Sequence, residues 1–168
     1  MTTAPFIVKR LEKEDRSEFR CGKDELDRYF SAQVSQDVRR QIATAFIACH
    51  NATGATAGFY TLSAAHVPFT ALDDDWRKKL PRYPSLPAVL IGRLAIDQRF
   101  KGQGLGSALL ADAADRAISS DIAAHFLIVD ALDEDAALFY QHHGFRRVPG
   151  DNNRLFIPLS VLEKLLRP

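Results

Sequence analysis

Cysteine, methionine and tryptophan are all scarce in this 168-residue chain: two, one and one. Two thiols, Cys21 and Cys49, cannot build a disulfide framework, and neither belongs to a C-x-x-C pair. A zinc site needs more ligands at closer spacing, so no metal is expected. No apolar run approaches the ~20 residues of a membrane-spanning helix, and no membrane association is expected. The opening residues, MTTAPFIVKRLEKED, carry no signal-peptide apolar core, which makes cytoplasmic residence the default expectation. Net charge is only +1. That value neither demands nor rules out nucleic acid, because local patches decide such binding. Internal repeats, low-complexity tracts and linkers are also missing.

The residues present have the balance of an ordinary globular protein, 46% hydrophobic and 26% charged, in a length that suits one domain with a single core. Residues 6–9 predict a short strand. Asp24 is placed to cap a helix running to about Arg40, with Leu26, Tyr29, Phe30, Val34 and Val38 on one face. Residues 43–49 and 57–64 predict an antiparallel hairpin around the turn at 51–54. Residues 66–87 contain Pro68, Pro81, Pro84 and Pro87 and predict a long excursion holding one short helix around 74–80. A strand over 89–97 and a continuous apolar strand over 126–131 follow, the latter suited to the middle of a sheet covered on both faces. Between them lies a helix with Leu105, Ala108, Leu109 and Ala113 toward the core. Asp133 caps a short helix that Gly144 ends. Residues 145–148 and 154–158 predict a closing strand pair, and Ser160 with Glu163 a capping box for a last helical turn. The order β-α-β-β-β-α-β-α-β-β indicates a mixed α/β sheet.

The segment that carries chemistry is IGRLAIDQRFKGQGLGSALLA, residues 91–111. Glycines at 102, 104 and 106 let the backbone approach a ligand closely. The helix behind them aims free N–H groups and a partial positive charge at the same place, and phosphate or pyrophosphate is the natural guest. A Walker A loop would need Lys then Ser or Thr after its last glycine, but Gly106 is followed by Ser107 and Ala108. A Rossmann fingerprint would need two residues between its second and third glycines. A plain tight turn explains one glycine easily and three poorly.

The segment K-G-Q-G-L-G resembles motif A of the GCN5-related N-acetyltransferases (GNAT), whose signature Q/R-x-x-G-x-G/A falls on Lys101, Gly104 and Gly106, with Lys a departure at the first position. The resemblance implies a GNAT-like mixed, mostly antiparallel central sheet flanked by helices, in a single domain. It implies acetyl-CoA as acetyl donor, its pyrophosphate held by Lys101, Gly102, Gln103, Gly104, Leu105, Gly106 and Ser107. It also implies a pantetheine arm along the backbone of Leu94, Ala95 and Ile96. A cation at Lys101 would help near the phosphates. Phe139 and Tyr140 match motif B, with Phe139 as core or cofactor wall.

Residues 19–30, 57–64, 80–87, 92–97 and 129–145 in this order further resemble the acetyltransferase toxins of type II toxin–antitoxin pairs. That resemblance implies acetylation of the α-amine of aminoacyl-tRNA, a block of translation, a ribbon-helix-helix antitoxin and a homodimer. Two alternatives stay open: the same fold acting on a small amine or a protein N-terminus, and a CoA-holding regulatory module without turnover.

The implied chemistry is attack of a neutral amine on a thioester. Tyr140 is the expected acid for the leaving sulfur, since a phenol of pKa ~10 is protonated at neutral pH. An α-amine of pKa ~8 is partly neutral without help, so no general base is evident and water is one candidate. Asp97, Glu134, His142 and His143 are possible helpers, none singled out. A backbone N–H around Ile96 would polarise the carbonyl. A tRNA needs phosphate contacts, and Arg77, Lys78, Lys79, Arg82 and Arg93 are the candidates. For Arg93 the alternative is a salt bridge stapling the excursion. Arg39 and Arg40 instead suit the helix dipole. Arg146, Arg147 and Arg154 form another basic cluster, read alone as a solvated face. Aspartates at 73–75 and acidic residues at 133–135 offset part of the local charge.

Overall fold

The computed structural model describes residues 4–151 and 153–167. Seven strands form one sheet: β1 (Phe6–Arg10), β2 (Thr44–His50), β3 (Thr56–Pro68), β4 (Ser85–Ile96), β5 (Phe126–Asp130), β6 (Arg146–Arg147) and β7 (Arg154–Pro158), in the order β1-β2-β3-β4-β5-β7-β6. Pairs β1–β2, β2–β3, β5–β7 and β6–β7 are antiparallel, and β4–β5 is parallel. This is the mixed, mostly antiparallel sheet expected. The chain packs as two compact units. One comprises the described residues up to Ser63 with Gly92–Ala113, the other Ala64–Ile91 with the described residues from Ala114 onward.

In the first unit the helix over 24–39 carries a widened turn. Helix α1 (Asp24–Arg28) runs into a π turn (Tyr29–Gln33) and then α2 (Val34–Arg39). The wide turn lets Tyr29, Phe30 and Val34 all be buried, with Leu26 and Val38 partly so. Phe30 stacks on Phe59 of β3 with centroids 4.1 Å apart, and Phe19 meets both rings edge-on. Asp24 is not the cap: the helix begins at that residue, Lys23 holds the cap position, and no side chain closes it. Asp27 instead turns back to accept from the Cys21 N–H at 2.8 Å. A Cβ on Gly58 would come within 3.0 Å of the Ala95 carbonyl, Ile96 and Leu109, so glycine there admits β4 and the next helix close to β3. That helix, α4 (Leu105–Ser119), buries Leu105, Leu109 and Ala113 as expected, but Ala108 faces solvent and Leu110 takes its place inside. Tyr60 donates to Asp112 of α4.

In the second unit the strands reach further than their sequence pattern suggested. β3 continues to Pro68 and β4 starts at Ser85, which shortens the excursion. Pro87 is tolerated within β4 because only its carbonyl is needed, accepting from the His125 N–H at 2.8 Å. Helix α3 (Asp74–Lys79) is capped by Asp73, which accepts from the Trp76 N–H at 3.1 Å. Trp76 lies edge-on to Phe126 and Phe156. β5 is fully buried from Phe126 to Val129. Helix α5 (Glu134–His142) is capped by Asp133, and Gly144 leaves it at φ +96°. The closing strand pair is shorter at β6 than predicted, and position 152 of its turn lies outside the described residues. The last helix, α6 (Leu159–Leu166), starts a residue before Ser160 with Pro158 at the cap position, so the expected capping box does not form.

Phe30 is 1% exposed and stacked, so Phe30→Ala should cost about 3–5 kcal/mol of stability. Urea unfolding of the two proteins measures this, and a difference below about 1 kcal/mol would show that the π turn does not anchor the first unit.

Candidate functional site

The glycine loop begins where β4 ends. Asp97 caps a single 3-10 turn (Gln98–Phe100), which delivers the chain to Lys101. Gly102 and Gly104 then adopt φ of +80° and +76°. Left-handed backbone of this kind is strained for any residue with a Cβ. A Cβ built on either glycine meets no atom within 4 Å, so backbone conformation, not crowding, calls for glycine there. Residues 101–104 are exposed, while Leu105 is buried as the first residue of the 15-residue α4. Gly106 and Ser107 sit in the first helical turn, whose N–H groups have no carbonyl four residues back within the helix. The result is an open backbone cradle at the positive end of a helix dipole, a geometry that fits a diphosphate.

Upstream, the ladder between β4 and β5 has its last pair at Ile91 and Val129. β4 runs on through Gly92–Ile96, so Leu94, Ala95 and Ile96 lie beyond that rung. The backbone of this stretch is the part expected to line a pantetheine arm.

Asp97 is 1% exposed and fully engaged. Its carboxylate accepts from the Arg20 N–H at 3.0 Å, the Arg99 N–H at 2.8 Å and the Arg99 guanidinium at 2.9 and 3.1 Å. Burial pushes its pKa up, but the Arg99 guanidinium and the two backbone donors outweigh burial and hold the carboxyl below the usual carboxylate value. Asp97 is therefore a buried anchor of the loop, not a residue free to take a proton from an amine. Lys101 places its ammonium on the Cys21 carbonyl at 2.7 Å.

Tyr140 lies in α5, 5% exposed, with Phe139 and Phe145 edge-on at 5.2 and 5.4 Å. Burial raises its phenol further above the ordinary tyrosine value. Among the described residues its hydroxyl has no hydrogen-bond partner, so the proton is available to donate. Phe139 is half-buried. The other helpers named from sequence are occupied or exposed. Glu134 pairs with Arg147 at 2.7 Å, His143 Nδ1 lies 2.9 Å from the Phe139 carbonyl, and His142 is exposed.

The basic candidates divide. Lys78 and Arg82 are exposed, and among the described residues neither has an ion-pair partner. Lys79 lies over the Trp76 ring at 6.0 Å, and Arg77 pairs with Asp74. Arg146, read from sequence as part of a solvated face, also lies over Trp76, at 5.9 Å, and 3.9 Å from Asp73. Among the described residues no salt bridge ties Arg93 to the excursion. Its guanidinium stacks on the Tyr29 ring at 3.6 Å, and Tyr29 donates to Asp37 at 2.9 Å. Burial and that hydrogen bond push the Tyr29 phenol up to about 12. From sequence, residues 19–30 entered only through the resemblance to the acetyltransferase toxins, with no part in the site, whereas the structure brings the segment around Cys21 against Lys101 and Asp97. The residue that marks the crossing is Gly22, whose φ is +94°.

Known proteins resemble this chain over most of its length. The acetyltransferase (GNAT) domain family matches residues 41–147. A Mycobacterium tuberculosis protein described as a tRNA-acetylating toxin is 30% identical over 157 residues, covering 92% of this chain and 92% of that protein. A solved structure of AtaT complexed with acetyl-methionyl-tRNAfMet superposes with a TM-score of 0.82 at 33% identity, over 95% of this chain and 98% of that one. A mutant AtaT toxin bound to the C-terminus of the antitoxin AtaR and acetyl-CoA gives a TM-score of 0.82 at 29% identity, over 98% and 100%.

The Asp97 anchor has a pH signature. Its folded carboxyl titrates below the unfolded one, so its contribution is complete above the ordinary carboxylate value and is lost as pH falls through the folded value. Asp97→Asn should be about 3 kcal/mol less stable at pH 7. Its stability should also fall less steeply than wild type on acidification below about pH 4. Chemical denaturation from pH 7 to pH 2 measures both, and parallel curves for the two proteins would contradict the anchor role.

Proposed function

The chain belongs to the GNAT acetyltransferase family, and from that premise we propose that it moves the acetyl group of acetyl-CoA to the α-amine of aminoacyl-tRNA. In this reading it blocks translation as the toxin of a type II toxin–antitoxin pair. The observation that carries the reading is the loop of Gly102 and Gly104, both at positive φ with open space above them, set against the start of α4. The tRNA substrate and the antitoxin are supported by relatives described in those terms across nearly their whole length.

When bound, acetyl-CoA supplies an activated thioester and a thiol leaving group. The chain supplies grip and a proton. Backbone N–H groups of Gly102, Gln103, Gly104, Leu105, Gly106 and Ser107 hold the diphosphate, while Leu94, Ala95 and Ile96 align the pantetheine arm. The Ile96 N–H polarises the thioester carbonyl, and Phe139 walls the arm. Tyr140 holds a proton on Oη for the departing sulfur. No general base is assigned, because part of an α-amine population is neutral near pH 8.

Lys78, Lys79 and Arg82 are the cations available to phosphates. Arg77 and Arg93 contribute less in this reading, since Asp74 and Tyr29 already engage them. The antitoxin is of the ribbon-helix-helix class, the toxin is a homodimer, and it works in the cytoplasm. Among the described residues no helix is long and apolar enough to cross a membrane.

Incubation with acetyl-CoA and charged tRNA should give N-acetyl-aminoacyl-tRNA, detected by mass after nuclease digestion. Tyr140→Phe should lower kcat by about 10²–10⁴-fold with the tRNA KM little changed. Wild-type expression should arrest bacterial growth and the variant should relieve it. Product on free amines or peptides but none on tRNA would replace the substrate assignment. Full activity of Tyr140→Phe would remove the acid role.

A further inference from the structure

The residues 19–22 form a strap buckled at three points to the segment that leads into the glycine loop. The Arg20 N–H donates to Asp97 at 3.0 Å, the Gln98 N–H donates to the Arg20 carbonyl at 2.8 Å, and the Lys101 ammonium donates to the Cys21 carbonyl at 2.7 Å. On its other side the strap is tied to α1, because the Cys21 N–H donates to Asp27 at 2.8 Å. Gly22 completes the crossing. Its φ of +94° turns the chain, and a Cβ there would come within 2.7 Å of Gln98 Nε2 and 3.8 Å of Lys101 Nζ.

We propose that Lys101 is a positioning residue: it sets the diphosphate loop by donating to the Cys21 carbonyl of this strap, and the strap preforms the loop before acetyl-CoA arrives. This rests on the diphosphate reading given above. Lys101 is the one motif position where the chain departs from the Gln or Arg of the family signature, and the structure gives its ammonium a partner inside the chain. The two other buckles fix the segment ahead of Lys101, so the third controls the residue directly before Gly102, the first of the two glycines at positive φ. A loop held ready binds with less ordering cost than one that must be assembled around its ligand. Since Asp27 hangs α1 on the same strap, displacement of the strap is also felt at the start of that helix.

The proposal separates from a direct Lys101–phosphate ion pair. In Lys101→Met the stem is kept and the donor lost. Calorimetric titration of the intact protein with acetyl-CoA should show about five- to tenfold weaker binding. The loss should appear in the KM for acetyl-CoA, with kcat at saturation held within about twofold. The ratio of wild-type to variant affinity should change little between low and high salt, because the contact that is lost is a hydrogen bond to a backbone carbonyl of the chain and not an ion pair with the ligand. Without ligand, hydrogen exchange should quicken at residues 19–22 and 101–106 in the variant, and Lys101→Arg, which keeps a donor, should restore protection. Gly22→Ala, which alters the strap and leaves every loop residue in place, should weaken acetyl-CoA binding in the same salt-independent way. An affinity ratio that collapses at high salt, with exchange unchanged in the strap, would overturn the proposal in favour of a direct phosphate contact. Wild-type affinity in both variants would overturn it as well. Failure of the wild-type protein to bind acetyl-CoA would instead strike the diphosphate reading itself.

Discussion

The buried carboxylate of Asp97 is the joint on which the candidate site depends. A charge removed from water must be matched by donors or it costs several kcal/mol. Here two backbone N–H groups and a guanidinium supply the match. Because those donors come from both Arg20 and Arg99, satisfying the charge fixes two segments at once. The turn after β4 cannot shift without leaving the carboxylate unpaired, and the glycine loop starts at the end of that turn. Its open conformation therefore follows from electrostatics a few residues upstream.

The two glycines carry the opposite kind of constraint. They hold backbone that other residues resist, in space that no described residue fills. Glycine adopts that backbone without strain but loses the most conformational freedom when fixed, so a defined loop needs support from its surroundings. The strap, the capped 3-10 turn and the N-terminus of α4 are those surroundings. Rigid support next to a flexible-looking sequence is how a loop presents N–H groups in a fixed pattern. In the other unit, the apolar packing of Tyr140 gives a second fixed group. Its phenol is held among Phe139 and Phe145, protonated, and among the described residues it has no hydrogen-bond acceptor.

Much of this was legible in the sequence because it rests on local pattern. Alternation and apolar runs located the strands, Asp133 and Gly144 bounded α5, and the glycine spacing located the loop. Elements set by distant partners were not legible. The π turn at Tyr29–Gln33 follows from ring stacking on Phe59, and no helical periodicity announces it. Asp24 and Ser160 carry the right chemistry for caps, yet the helices start elsewhere because Asp27 is drawn to Cys21 and Leu159 continues directly from β7. Arg93 reads as a charge in need of a partner, and the partner is an aromatic face contributed from far up the chain. Asp97 reads as a candidate proton acceptor, whereas the donors that occupy it lie at Arg20 and Arg99. The family resemblance named the loop and the tyrosine, but only coordinates reveal what holds them.

The central claim is that backbone amides of residues 102–107 grip a diphosphate. Side-by-side titration of the protein with acetyl-CoA and with acetyl-pantetheine, which keeps the thioester and lacks the diphosphate, tests it most directly. The account predicts binding of acetyl-CoA and at least about a hundredfold weaker binding of acetyl-pantetheine, the loss expected when several charge-assisted hydrogen bonds go. Equal affinity for the two would contradict it.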